Sequence, residues 1–208
     1  FRSNISGLKN DPSFQFVQGS MLDEQLVRSL MEKVDGCMHL GAALGVQRIL
    51  ERPYASLVAN TQGTEIAVKA AADLGKRFFL ASTSELYGKN PIQPLTEESD
   101  RVIGSPQLVR WAYSEAKAID ESVVQMFHGS HGLKFVTGRF FNTVGPRQSG
   151  AYGMVLPRFV GAALKNEPIK VYGDGTQSRV FCHVSDAVDG VLKIFFNDQA
   201  LGHAFNIG

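Results

Sequence analysis

The sequence predicts an α/β protein built on a doubly wound parallel sheet, with part of a smaller domain toward its C-terminal end. Three observations lead there. Short apolar, β-rich runs alternate with long helical patterns, the order that places parallel strands between helices on both faces. The chain has 208 residues and 44% hydrophobic content, enough for one large domain or one domain with part of another. After Pro146 the texture changes to Gly, Pro and short elements, such as Leu156-Pro157, Pro168 to Tyr172 and Gly173-Asp174-Gly175.

Phe14-Gln15-Phe16-Val17-Gln18 alternates and reads as a strand ending at Gly19. Leu22 to Val34 places Leu22, Leu26, Leu30 and Met31 near one helical stripe. Cys37-Met38-His39-Leu40 is a short apolar run closed by Gly41-Ala42-Ala43, a buried strand entering a tight turn. Tyr54 to Leu74 is a long helix with Pro53 at its start and Gly75 after its end. Arg77 to Ala81 is a strand, Gln107 to Phe127 a second long helix, and Lys134 to Phe140 another strand. Ligands of such sheets bind beyond the carboxyl ends of the strands. Gly41-Ala42-Ala43, Ser82-Thr83-Ser84-Glu85 and Asn142-Thr143-Val144-Gly145-Pro146 all fall at that edge.

Composition narrows the function. A net charge of +1 offers no argument for nucleic acid or an acidic membrane surface, and no apolar run is long enough to span a bilayer. Phe1-Arg2-Ser3-Asn4 is not the start of a signal peptide and lacks an initiator Met, so the chain is expected to begin inside a longer protein. Cys37 and Cys182 stand apart, without metal-ligand spacing, and read as reduced, packed thiols of a cytosolic protein. His128 and His131 fall at a helix end and loop, and Glu97, Glu98 and Asp100 form an acidic loop expected to be solvated.

Two segments carry chemistry. Tyr113 and Lys117 are four apart in a helical pattern and so share a face. An ammonium one turn away favours the phenolate, and a tyrosine lowered from its reference near 10 can act as a general base. Ser82, Thr83 and Ser84 offer hydroxyl donors to a substrate oxygen, and Glu85 adds a second acid–base group. Plainer roles exist for each. Tyr113 can be a core ring with a wet hydroxyl, Thr83 a strand-end hydroxyl closing a turn, and Glu85 a carboxylate at a helix start.

Taken together, these segments resemble the extended short-chain dehydrogenase/reductase family, in particular its nucleotide-sugar epimerases, dehydratases and decarboxylases. The resemblance runs from about Phe14 to Gly208. It is carried, in family order, by His39 to Ala43, Asn60-Thr61-Gln62-Gly63-Thr64, Ser82 to Gly88, Tyr113-x-x-x-Lys117, Arg139-Phe140-Phe141-Asn142 with Gly145-Pro146-Arg147, and Tyr172 to Gly175 with Arg179 and His183-Val184-Ser185-Asp186. The family's glycine-rich turn has no counterpart before Phe14, and Gly19-Ser20 stands where Gly-Asp is common.

The resemblance implies a Rossmann-type sheet lacking its first strands, with residues 1–146 as a partial dinucleotide-binding domain. Residues 147–208 would be a partial substrate lid, interleaved with the last elements of that domain. It implies NAD, contacted by Leu40, Gly41, Ala42, Ala43, Asn60, Ser82 and Phe140, with Tyr113 and Lys117 at the nicotinamide ribose. Tyr113 would take the proton of the sugar 4-hydroxyl, and Thr83 would bond the reacting oxygen. Ser84 and Glu85 would serve the step after C4 oxidation: Glu85 would remove the C5 proton in a dehydratase or position the C5 carboxylate in a decarboxylase. Asn142, Leu156, Val171, Tyr172 and Arg179 would hold the substrate, a UDP-sugar by preference, with no metal. A cytoplasmic homodimer is implied, paired through the two long helices. An NADPH-dependent carbonyl reductase and a dinucleotide-binding sensor without activity are the alternatives.

Overall fold

The computed structural model describes residues 4–43, 53–150 and 154–208; Phe1-Arg2-Ser3 lies outside them. Four strands form one parallel sheet: β1 (Gly36–His39), β2 (Arg77–Thr83), β3 (Lys134–Phe140) and β6 (Ala204–Ile207), side by side in that order. Two shorter strands, β4 (Asn142–Val144) and β5 (Phe181–His183), pair in parallel as a separate ribbon. The helices are α1 (Glu24–Met31), α2 (Pro53–Asp73), α3 (Ala112–His131), α4 (Val155–Leu164) and α5 (Val184–Phe195).

Strand side chains alternate between faces, and the core divides accordingly. Phe78, Leu80 and Phe135 point to one face, where Val27 and Met31 of α1, Ala67, Val68 and Ala71 of α2, and Val124 of α3 cover them. Phe79, Val136 and Ile207 point to the other, packed against Ala187, Val191 and Phe195 of α5. This is the expected doubly wound arrangement. Residues 184–208 belong to this sheet, while α4 and the β4–β5 ribbon lie at its carboxyl edge.

Boundaries shift where tertiary pairing or a cap overrides the local pattern. β3 spans Lys134–Phe140 as expected. β2 runs two residues further, through Ser82 and Thr83, because both pair with Arg139 and Phe140 of β3. α1 begins only after Asp23, whose carboxylate caps it by accepting from Leu26 N at 3.0 Å, and its most buried stripe is Val27 and Met31. α3 starts at Ala112, after a short 3₁₀ turn at Val109–Trp111, and closes on Gly132 at φ +66. Phe14 to Gln18 is not a strand: no neighbouring strand among the described residues offers it a ladder, and Phe16 and Val17 stay exposed.

One polar cluster ties α3 to the sheet. Arg139 Nε and Nη2 donate to both oxygens of Glu121 at 2.7 to 3.2 Å, with both side chains 15% exposed. Its Nη1 donates to Tyr87 Oη at 3.0 Å and to the Glu97 carbonyl at 2.8 Å. Glu97, expected to be solvated, instead accepts from Asn206 N at 2.7 Å. Arg139→Met leaves a largely buried carboxylate without its counter-ion. Urea unfolding should show a loss of about 3 kcal/mol; an unchanged midpoint would refute this role.

Candidate active site

The carboxyl ends of β1, β2 and β3 open onto a cavity of about 400 Å³. Its walls gather Leu40, Ala42, Ser82, Thr83, Ser84, Glu85, Tyr113, Lys117, Phe140, Asn142 and Leu156, all singled out from the sequence. Two hydrogen bonds set the relative position of the catalytic candidates. Thr83 Oγ1 accepts from Glu85 N at 3.2 Å, which shapes the 3₁₀ turn Ser84–Tyr87. Ser114 Oγ donates to the Glu85 carbonyl at 2.9 Å, clamping that turn to the first turn of α3 beside Tyr113. The Thr83 hydroxyl thus closes a local turn with a lone pair and keeps its proton for the cavity.

Asn60, Gly41 and Ala43 do not line the cavity; Asn60 acts on the turn beside it. Its Oδ1 accepts from Ala43 N at 2.6 Å and its Nδ2 donates to the Ala43 carbonyl at 3.4 Å, pinning the turn Gly41-Ala42-Ala43. A Cβ on Gly41 would meet no protein atom within 4 Å, so packing within the chain does not require a glycine there.

Val171, Tyr172 and Arg179 do not line the cavity. They lie between α4 and β5 in a segment with no helix or strand, Val171 and Tyr172 being more than half exposed. Tyr172 Oη accepts from Arg158 at 3.2 Å, and Arg179 Nη1 donates to the adjacent Ser178 carbonyl at 2.6 Å. Residues not singled out do line it: Phe141, Gln148, Met154, Val155, Pro157 and Phe181. Most are apolar wall, and a period-based reading sees only core or loop in them.

The electrostatics depart from expectation at the tyrosine. Lys117 was expected to lower the Tyr113 pKa; the phenol is instead pushed up, by burial first and then by the carboxylates of Glu85 and Asp120. Beside the phenol, Lys117 Nζ donates to Asp120 Oδ2 at 3.1 Å, so the ammonium has a buried carboxylate as its partner. Burial within the cavity wall also raises the Glu85 pKa against the pull of Arg110, although the residue remains open to the cavity solvent. Burial holds Cys37 up at about 11. Among the described residues no group of His, Cys, Asp and Glu could hold a metal ion, and no helix is long and apolar enough to cross a membrane.

Residues 2–208 match the NAD dependent epimerase/dehydratase family. The chain belongs to that family. Among curated members, it is 37% identical over 190 residues to a UDP-N-acetyl-alpha-D-glucosaminuronate decarboxylase of Bacillus cytotoxicus, covering 91% of this chain and 58% of the relative. It is 32% identical to UDP-glucuronic acid decarboxylase 4 of Arabidopsis thaliana, covering 100% of this chain and 45% of that one. The chain thus spans about half the length of these relatives. A dTDP-glucose 4,6-dehydratase of Streptomyces venezuelae, solved with NAD bound, superposes with a TM-score of 0.89 at 28% identity, over 100% of this chain and 62% of its own. A UDP-glucuronic acid 4-epimerase of Bacillus cereus, solved with UDP-glucuronic acid and NAD, superposes with a TM-score of 0.89 at 25% identity, over 100% and 64%.

His39, at the end of β1, gives this family member a measurable pH response. Thr64 Oγ1 spends its one proton on the Asn60 carbonyl at 2.7 Å, so at 3.0 Å it accepts from His39 Nε2–H, which sets the neutral tautomer. Burial, helped by Lys117, lowers the His39 pKa from 6.5 to about 4. The unfolded chain therefore takes up a proton that the folded one refuses. The contribution of His39 is complete above about pH 6.5 and shrinks as pH falls toward 4, by roughly 3 kcal/mol. Urea unfolding at pH 7.5 and pH 4.5 should show this loss in the wild type and a smaller one in His39→Gln; equal losses would refute it.

Proposed function

We propose that the protein containing this chain oxidises C4 of a UDP-linked uronic acid with NAD and then decarboxylates it. The observation that carries this reading is the convergence of Tyr113, Lys117, Thr83, Ser84 and Glu85 on one cavity at the sheet's carboxyl edge. Similarity to uronate decarboxylases over nearly the whole chain supports the choice of outcome.

The residues fit NAD. Ser82 Oγ is buried, lines the cavity and has no partner among the described residues, so it has a hydrogen bond to offer a ligand. Gly41 leaves space that the chain itself does not use. Leu40, Ala42 and Phe140 would form the apolar side of the nicotinamide pocket, Asn60 would hold the Ala43 turn, and Lys117 would reach the ribose. When bound, NAD supplies the hydride acceptor for C4.

The chain's own groups supply the rest. Tyr113 takes the 4-hydroxyl proton, and Thr83 donates its free proton to the same oxygen. A ketone at C4 makes the C5 carboxylate part of a β-keto acid. When the C5–C6 bond breaks, carbon dioxide leaves, and the electron pair moves onto the C4 oxygen as an enolate. Thr83 and the protonated Tyr113 stabilise that oxygen. Burial raises the Glu85 pKa, which eases proton exchange between its carboxyl group and the substrate beside it. Ser84 adds a second donor, and Asn142 and Leu156 face the sugar from the lid side. Residues 147–208 supply that lid, interleaved with the last elements of the sheet domain, and Val171, Tyr172 and Arg179 would meet the nucleotide from it. The protein works as a cytoplasmic homodimer through α2 and α3, without nucleic acid or membrane.

The test is incubation of the full-length protein with UDP-glucuronate, its N-acetylglucosaminuronate counterpart, UDP-glucose and GDP-mannose in turn, with products read by nuclear magnetic resonance. Loss of carbon dioxide from a uronate is expected. Epimerised or dehydrated product overturns decarboxylation, and reduction of free carbonyls alone overturns the whole reading. Tyr113→Phe should lower kcat by 10³-fold or more while retaining bound NAD (on the order of a lost general base). Unchanged turnover in that variant removes Tyr113 as the base. Glu85→Gln should slow carbon dioxide release more than C4 oxidation; equal slowing of both would show that Glu85 has no separate part.

A further inference from the structure

Asp120 is a buried acid with no part in the proposed decarboxylation. Its side chain is 1% exposed and that of Lys117 2%, with Oδ2 accepting from Nζ at 3.1 Å. Among the described residues, Oδ1 finds no donor. A buried carboxylate with a bare oxygen is expensive, and a packed apolar residue would serve stability better. The arrangement therefore calls for a reason other than folding.

That reason lies in what Asp120 touches. Lys117 reaches the cavity wall, one helical turn from Tyr113, and Asp120 lies one further turn along α3, outside the cavity. On the α2 side, Thr64 accepts from His39 of β1 and donates to the Asn60 carbonyl, so its one proton is already spent and Lys117 remains the partner of Asp120.

We propose that Asp120 is the positioning residue of the Tyr113–Lys117 pair: it anchors the Lys117 ammonium and offsets its charge, so that Lys117 alone does not ionise the phenol. Ionisation of Tyr113 then waits on positive charge that enters the cavity from outside the chain, which ties the base to the occupied site. The proposal rests on the reading of Tyr113 and Lys117 as the catalytic pair.

The other groups facing this pair are few. Glu85 approaches Tyr113 from the turn after β2, with Arg110 opposing it. Glu121 adds negative charge near Asp120, and Arg139 engages it. His39 stays neutral at the pH values that matter here. The direction of the Tyr113 shift, upward with Asp120 among its causes, agrees with the geometry.

The test reads the phenol directly and needs no turnover. Full-length protein carrying tyrosine labelled with ¹³C at Cζ is titrated toward alkaline pH, with the Tyr113→Phe spectrum identifying the resonance. In Asp120→Asn the Lys117 charge is no longer offset, and the Tyr113 pKa should fall by about one unit or more, a tenfold change in phenolate at a given pH. A packing role would leave the titration where it was, and an unchanged titration overturns the proposal. If Asp120→Asn does not fold, Asp120→Ser removes the same charge with a smaller side chain. It should shift Tyr113 the same way, and no shift there overturns the proposal equally. Product identification with the four sugar nucleotides decides the reaction separately, so either idea can fail without the other.

Discussion

Arg139 stands where four parts of the molecule meet. It sits on β3 opposite Ser82, grips Glu121 on α3 through three hydrogen bonds, and reaches Tyr87 and the Glu97 carbonyl with the fourth and fifth. Tyr87 closes the 3₁₀ turn that begins at Ser84, and its hydroxyl donates to Asn206 on β6. A planar guanidinium presents its donors in a fixed fork, so engaging all three nitrogens at once leaves the surrounding elements little freedom to slide. The spacing between α3, which carries Tyr113 and Lys117, and the turn carrying Thr83 to Glu85 follows from this one group. The Ser114 bond to the Glu85 carbonyl then sets the local distance.

On that frame, the site is an electrostatic compromise. Two carboxyl groups, Glu85 and Asp120, and one ammonium, Lys117, surround a phenol that burial keeps protonated. A family reading gives the tyrosine–lysine pair as a finished base. The geometry describes a protonated phenol, with the nearby ammonium engaged by Asp120. Such a site gains from being built on two long helices and a parallel sheet, because small errors in spacing alter Coulomb terms strongly where water is excluded.

The parallel sheet with its alternating helices was legible in the sequence because buried strands and long helices write continuous signals. Arg77 to Ala81 and Lys134 to Phe140 read as strands, and Pro53 and Gly75 punctuate the first long helix; the order of the strands came from their pairing. The strand read at Phe14 to Gln18 had the right alternation, but alternation records only a residue's preference, and the segment takes up neither helix nor strand. Glu97 was read as solvated because an acidic run normally is. Its bond to Asn206 joins residues 109 positions apart, beyond any local pattern.

The residue types of the site were therefore determined by the sequence alone: a phenol and an ammonium on one helix face, and hydroxyls and a carboxylate after a strand. Tertiary structure decided their state. Asp120 is three residues from Lys117 and in plain view, yet nothing local says that both are sealed from water or that Tyr113 shares their surroundings. Burial and charge depend on which surfaces pack together, and packing brings in α2, β1 and the turn after β2 from distant parts of the chain. The same holds in reverse for Val171, Tyr172 and Arg179, whose types suit a ligand but whose segment has no element to carry it to the cavity. Chemical identity is written residue by residue, whereas proton affinity belongs to the assembled environment.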